Sequence, residues 1–493
     1  MKRITLTIAA AFLTLSGIIA QNVDDALRYS QIFYNGTARF MSMGGAFTAL
    51  GGDMSTLSQN PAGIGVFRSA EISFSPQLFH IGTSSNFHGV SRDYLYNFNI
   101  GQIGIVSNLI SNVRESGLIS LNVGYSFNKT NNLNSSIRIQ GNSSSSSLAD
   151  AWAYQGAGTY FSDLGGAPGI AYDAWIIDTI TGSGATSYGT VFSNYGDNPS
   201  STYGQNIRRL ITNEGYTGEH AFSIGGNYSN KIFFGATVGI SRLRYTGHYE
   251  HQEIADYNLD SGFESFTYAE HFENTGTGVS FKMGAIFKPV DFVRIGLAFH
   301  SPTIYRINEY YYDNVSSNFT GNEHYEFDNE ATRYNYALTT PFRALAGVAI
   351  QIEKVALLSA DYEFVDYTAA RFSETGDNYD YTEKNSAIKN TLKPTSNIRL
   401  GGEYRWNKVY FRGGYGYYGK VFQIGEENDD MDYSSISFGL GFREQNLNVD
   451  FGYTNIQNPQ RYILYNTATE TALANLSTGR NIFTVTVGYK FGY

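Results

Sequence analysis

The sequence predicts an all-β protein, a transmembrane antiparallel β-barrel of about fourteen strands whose N-terminal segment folds into the lumen as a plug. Three observations carry this reading: an export leader, apolar alternation at period two, and connections that switch between short and long along the chain.

The leader comes first. Lys2 and Arg3 precede an apolar stretch from Ile4 to Leu13, and small Ala20 closes it. That is the layout of a signal peptide over residues 1–20, cleaved before Gln21. Beyond Gln21 no run offers the roughly 18 consecutive apolar residues of a membrane-crossing helix. Any crossing has to be made by strands.

Alternation is clearest at the C-terminus. Phe483, Val485, Val487, Tyr489, Phe491 and Tyr493 share one face, while Thr484, Thr486 and Lys490 share the other. Tyr489, Phe491 and Tyr493 are read as a C-terminal signal for the barrel-assembly machinery. The same pattern recurs in Ile119 to Phe127, Phe222 to Tyr228, Val279 to Phe287, Phe342 to Ile350 and Ala356 to Phe364. It continues in Ile398 to Trp406, Val409 to Tyr417, Ile436 to Phe442 and Leu447 to Tyr453. Weaker strands are expected near 70–80, 94–107, 231–246 and 291–303.

The connections sort by length. Short turns fall at Ser229–Lys231, Lys288–Asp291, Ile352–Lys354, Asn407–Lys408 and Arg443–Asn446. Long polar segments, expected as external loops, fall at 129–217, 247–276, 304–340 and 367–394, with shorter ones at 419–432 and 457–479. Short turns on one side and long loops on the other are what an outer-membrane barrel shows, with both ends of the chain on the periplasmic side. An apolar outer face also demands closure, because an open edge in hydrocarbon leaves backbone groups unpaired.

Composition sets limits on chemistry. The 493 residues contain no cysteine, which removes disulfides, thiolate metal sites and thiol nucleophiles. A net charge of −10 argues against nucleic acid as a partner. Thirty-nine Tyr, 34 Phe and 53 Gly accompany a mean hydropathy of only −0.27, the average that strands with one apolar and one polar face would give. His248, His251 and His271 lie close together, but their spacing fits polar loop residues better than a metal or haem site. Gly414 to Gly419 matches G-x-G-x-x-G without the strand-turn-helix context that a dinucleotide site needs. No catalytic motif appears, so neither an enzyme nor a cofactor is expected.

Before the first strand runs Arg39-Phe40-Met41-Ser42-Met43-Gly44-Gly45-Ala46-Phe47, and further on Asn60-Pro61-Ala62. These two motifs resemble the N-terminal plug, or hatch, of the FadL/TodX family of outer-membrane transporters for hydrophobic compounds. The likeness covers about thirty residues by motif and the rest by architecture. It implies a fourteen-stranded barrel with a plug over 21–68 and a wall over 69–493. It also implies passive uptake of long-chain fatty acid-like molecules, released sideways through the wall. The family's fatty-acid-binding residues cannot be matched one by one, so substrate identity is not carried over. The wider superfamily supplies two alternatives, an accessory barrel for protein secretion and a haemin-binding receptor.

In this reading Phe40, Met43, Phe47 and Leu57 are buried in the plug and are candidate ligand contacts. Gly44 and Gly45 allow tight turns, and Asn60-Pro61-Ala62 forms a rigid element. Residues 129–217 hold an aromatic group, Trp152, Tyr154, Trp175 and Ile177, which either captures hydrophobic ligand outside the barrel or packs the loop on its mouth. The expected partners are outer-membrane lipid, a hydrophobic small molecule and the assembly machinery, with the protein a monomer.

Overall fold

The computed structural model describes residues 22–112, 116–196, 200–256, 258–376 and 379–491. The signal peptide, the cleavage point at Gln21 and terminal Tyr493 lie outside the described residues.

Fourteen wall strands follow in chain order, each antiparallel to the next. The first seven are β1 Ala70–Asn86, β2 Val90–Ser111, β3 Leu118–Asn132 with its continuation Ser135–Ser143, β4 Gln205–Tyr228, β5 Ile232–Ala255, β6 Phe263–Val290, and β7 Val293–His300 with Ile304–Phe319. Then come β8 Thr332–Thr339 with Arg343–Ile352, β9 Ala356–Asp366 with Arg371–Glu374, β10 Pro394–Trp406, β11 Val409–Tyr418, β12 Tyr433–Glu444, β13 Leu447–Asn466 and β14 Thr471–Phe491. The last pairs back onto the first, from Phe491 against Ala70 to Asn475 against Asn86, and closes the barrel.

Side chains sort as the alternation predicts. On β14, Phe483, Val487, Tyr489 and Phe491 are exposed outward, whereas Thr484 and Thr486 are buried inward. Phe222 and Ile224 on β4, Phe281 and Met283 on β6, and Phe438 and Leu440 on β12 face out in the same way. At the periplasmic end Ser229, Asn230, Glu353, Asn407 and Gln445 have positive φ, the left-handed geometry of tight hairpins.

Within the barrel sits the plug, with α1 Val23–Ser30, α2 Ala38–Ser42, α3 Thr56–Gln59 and a 3-10 turn, Pro61–Val66. Side chains cap three of these: Asn22 accepts from the Asp25 amide, Thr37 from Phe40 and Asn60 from Ala62. After α2 the chain reverses at Gly44 and Gly45, whose φ values are 62° and 73°. Phe40, Met43 and Phe47 pack against Phe79, Ile81 and Ile482 of the wall. Leu57 belongs to a separate group with Met54, Ile64, Phe67 and Val106.

Backbone meets backbone where the wall has no side chain. A Cβ at Gly284 would collide with Asn60 Oδ1, one at Gly235 with the Pro61 carbonyl, and one at Gly296 with the Thr48 carbonyl. Gly414 and Gly439 make the same room for the Gly44 amide and the Ser42 hydroxyl. Hydrogen bonds then fix the seat: Ala38 N donates to Thr486 Oγ1 (2.7 Å), Lys282 Nζ to Ser58 O (2.8 Å), and Thr48 N to Asp361 Oδ2 (2.9 Å). Arg39 grips Glu403 through two bonds of 2.9 and 3.1 Å, and Glu403 in turn accepts from Arg412.

The external side corrects the expected loops. Segment 247–276 is strand except for 256–262, and 304–340 is strand through Phe319 and again over Glu323–Asp328 and Thr332–Thr339. Beyond the bilayer both faces of a strand can be polar, so the ladder runs on after apolar alternation has ended. His248 opposite His271 and Thr246 opposite Glu273 are rungs of this kind. In 129–217 the wall continues to Ser143 and resumes at Gln205. The residues between form a cap with α4 Leu148–Gly156, α5 Gly166–Asp173 and a hairpin, Ile177–Thr179 with Tyr188–Thr190. Segment 367–394 carries α6 Thr382–Thr391, whose Ile388 shares a cluster with Ala26 and Leu27 of α1.

The register has a direct test. Val487→Arg places charge on the lipid face near the midplane and should cost roughly 2–4 kcal/mol, lowering the yield of heat-resistant barrel. Thr486→Val should preserve that yield while loosening the plug by about 1 kcal/mol through the lost Ala38 bond. Equal yields of Val487→Arg and wild type would contradict the register.

Candidate functional site

The ladder between β2 and β3 is incomplete. β2 and β3 pair only from Gln102 opposite Asn128 to Ser111 opposite Ser120. Residues 90–101 of β2 pair with β1 alone. The break begins about ten residues from the periplasmic end of β2, the length of one membrane crossing, and so opens toward the outer face of the bilayer. Above it the β3 continuation, Ser135–Ser143, pairs with β4 and leans toward β1 and β2. There Ser136 Oγ donates to Asp93 Oδ2 (2.7 Å) and Ser85 Oγ donates to the Arg138 carbonyl. The inward residues of β2 at this level, from Ser91 to Asn99, are half-buried, whereas Phe79, Ile81, Thr83 and Ser85 across on β1 are buried.

The plug occupies the edge that β2 leaves. Phe33 N donates to Thr130 O at 2.8 Å and Asn35 N to Lys129 O at 3.1 Å. Phe33 also rests against Tyr418 and Tyr433, with ring centroids 5.1 and 5.7 Å away. Two backbone bonds therefore hold this part of the plug to the break, and the two aromatic contacts tie it to β11 and β12. The stretch from α3 through the 3-10 turn is gripped more firmly. Asn122 Nδ2 donates to the carbonyls of Ile64 in the turn (2.7 Å) and of Phe67 just past it (2.9 Å), and Thr237 Oγ1 donates to that of Leu57 in α3 (3.0 Å).

Behind Phe33 lies a cavity of about 30 Å³ between plug and wall, with Tyr34 and Met41 on one side and Asn132, Arg399 and Arg480 on the other. A wider recess of about 450 Å³ opens on the periplasmic face beneath the plug, among Arg39, Arg68, Arg294, Lys354, Arg405 and Lys490.

At the external end the cap closes the mouth. Trp152 is buried, its ring 5.4 Å from Phe266 and 5.2 Å from Tyr268. The capping box of α4 ties it to β5, since Ser147 Oγ and Leu148 N both donate to Glu253, at 2.7 and 2.8 Å. Ile177 is buried as well, whereas Tyr154 and Trp175 are exposed. Trp175 keeps a positive φ of 59° just past α5, a conformation that a bulky residue adopts only under constraint. It faces Tyr325 at 6.4 Å, with Tyr160 and Phe161 also exposed on the cap.

The expected site residues thus separate into groups. Trp152 and Ile177 pack the cap, while Tyr154 and Trp175 present apolar surface. Phe40, Met43, Phe47 and Leu57 are all fully buried in the seat of the plug and touch a ligand only if that seat changes. Asn60-Pro61-Ala62 lies against wall glycines, and Gly44 and Gly45 line the small cavity. Sequence reasoning missed Arg399 and Arg480. The available signal was a cation in the inward series Thr478, Arg480, Ile482. Among the described residues no group of three His, Asp or Glu side chains could hold a metal ion.

The geometry defines a plugged fourteen-stranded barrel of the outer-membrane type. Solved structures with this fold include a FadL homologue from Pseudomonas aeruginosa, 14% identical, spanning 94% of this chain and 100% of that one with a TM-score of 0.56. Another is the toluene transporter TodX of P. putida, 12% identical, spanning 93% of this chain and 99% of that one with a TM-score of 0.52. No protein-family model matches the chain, and no curated protein matches it in sequence.

The two tryptophans differ in what packs on them. Trp152→Ser should destabilise the cap by about 3–5 kcal/mol, as removal of a buried aromatic does, and lower its melting temperature. Trp175→Ser should leave melting unchanged. Equal melting temperatures for Trp152→Ser and wild type would contradict the packed cap.

Proposed function

We propose that this chain carries hydrophobic small molecules, of the long-chain fatty acid-like kind, passively across the outer membrane. The observation that supports this most is the pairing at the break between β2 and β3. The plug sits inside the lumen, and the segment of β3 that lacks its wall neighbour is held by Phe33 and Asn35 instead. A molecule captured on Tyr154 and Trp175 descends between cap and plug, displaces this segment and leaves sideways at the break. Its hydrocarbon is then transferred to lipid and not to water.

The likeness to a FadL homologue and to a toluene transporter supports the same reading. No energy source or cofactor enters the scheme. The protein works as a monomer in outer-membrane lipid, and the assembly machinery takes hold at Tyr489 and Phe491, whose rings lie 6.4 Å apart at the end of β14.

A tether tests the mechanism, and the lack of native cysteine makes it specific. With cysteines introduced at Asn35 and Lys129, oxidation should reduce oleate uptake by expressing cells at least about tenfold, and reduction should restore it. Wild-type uptake by the oxidised, barrel-folded protein would overturn the moving-plug reading.

A further inference from the structure

The small cavity behind Phe33 gathers an unusual set of side chains. Tyr34 OH, Asn132 Nδ2, Thr454 Oγ1, Arg480 Nε and two nitrogens of Arg399, Nε and Nη1, are buried there without a hydrogen-bond partner. All of these atoms can donate, and four of them can do nothing else. Asn35 Oδ1 is the one unpartnered atom lining the cavity that can only accept. Buried polar groups are ordinarily satisfied, so a convergence of unmet donors points to an acceptor that belongs between them.

Charge points the same way. Glu363 is shared between Arg343 and Arg399, at 2.5 and 2.6 Å. Arg480 has no carboxylate within ion-pair distance among the described residues, and its Nη1 reaches only the Asn132 carbonyl at 3.4 Å. The Arg399 guanidinium lies over the Tyr34 ring, 5.3 Å from its centroid, which fixes both groups toward the cavity. Phe79 and Ile482 complete an apolar wall. At about 30 Å³ the space admits roughly two water-sized atoms, the size of a carboxylate and not of a hydrocarbon tail.

We propose that Tyr34, Asn132, Arg399, Thr454 and Arg480 form a carboxylate-binding site between plug and wall at the inner end of the β2–β3 break. Asn132 ends the first segment of β3, four residues past Asn128, the last to pair with β2, and Tyr34 stands between the two plug residues bonded to the β3 edge. A bound carboxylate therefore bridges the plug segment that covers the break to the wall beside it. The carboxylate is either the headgroup of the transported amphiphile or a small free acid. The first source rests on the uptake reading given above; the second does not.

The test uses the whole mature chain in detergent micelles at pH 7.5. Calorimetric titration compares decanoate with 1-decanol, and thermal unfolding compares sodium acetate with sodium chloride at equal ionic strength. Wild type should bind decanoate at least about tenfold more tightly than decanol, the worth of a charge-assisted hydrogen bond. Arg480→Gln should abolish that preference, and Arg480→Lys should keep part of it. If Arg480→Gln fails to show heat-shifted barrel migration, Tyr34→Phe carries the same comparison with no change in core volume. Protection of wild type by acetate beyond chloride, lost in Arg480→Gln, identifies a free acid as a source. Equal affinity for decanoate and decanol, with acetate and chloride also equal, overturns the carboxylate site and leaves the uptake reading intact. Selective acetate protection without affinity for either ten-carbon probe supports the site and overturns the uptake reading.

Discussion

A plug stays inside a barrel only if its backbone can lie close enough to the wall for polar groups to pair, and here glycine sets that distance. Gly235, Gly284, Gly296, Gly414 and Gly439 stand on five different wall strands, each where a side chain would strike the plug. With those side chains absent, Asn60 can bond the Thr48 carbonyl, and Lys282 and Asp361 of the wall can end on the plug backbone at Ser58 and Thr48. Burial of Phe40, Met43 and Phe47 follows from this seat. So does the Arg39 to Glu403 to Arg412 chain, because buried charges persist only where each has a fixed partner.

The grip of this seat is uneven along the plug. Around Pro61–Val66 the plug is bound by wall donors on β3 and β5 and pressed against glycine. Around Phe33–Asn35 it is held by two backbone bonds to a strand that has lost its other neighbour. Segments with few bonds open at lower free energy than those tied into a ladder. The weakly held part therefore lies at the break in β2–β3 pairing, and the donor-lined cavity sits just behind it.

Much of this was legible in the sequence, and what was not has physical reasons. Phe483 to Phe491 announced register, because inside the bilayer one face must be apolar. That constraint ends at the membrane surface, so Gly247 to Ala255 and Phe263 to Gly276 read as loop although they continue the ladder. The plug's motifs, Arg39 to Phe47 and Asn60 to Ala62, were visible, but the glycines that receive them looked like ordinary strand residues since their role depends on what lies opposite. Trp152 and Trp175 carry the same side chain and differ only in what packs on them. Arg399 and Arg480 were hidden for a similar reason: 81 residues apart in sequence, they meet only once the barrel closes.

Hydrogen exchange of the plug amides, followed by mass spectrometry with and without oleate, tests the central claim most directly. The account requires that oleate speed exchange in the peptide covering Phe33–Asn35 while Pro61–Val66 and the wall strands stay protected. Faster exchange across Pro61–Val66, or along the β2–β3 ladder below Gln102 with Phe33–Asn35 unchanged, would contradict it.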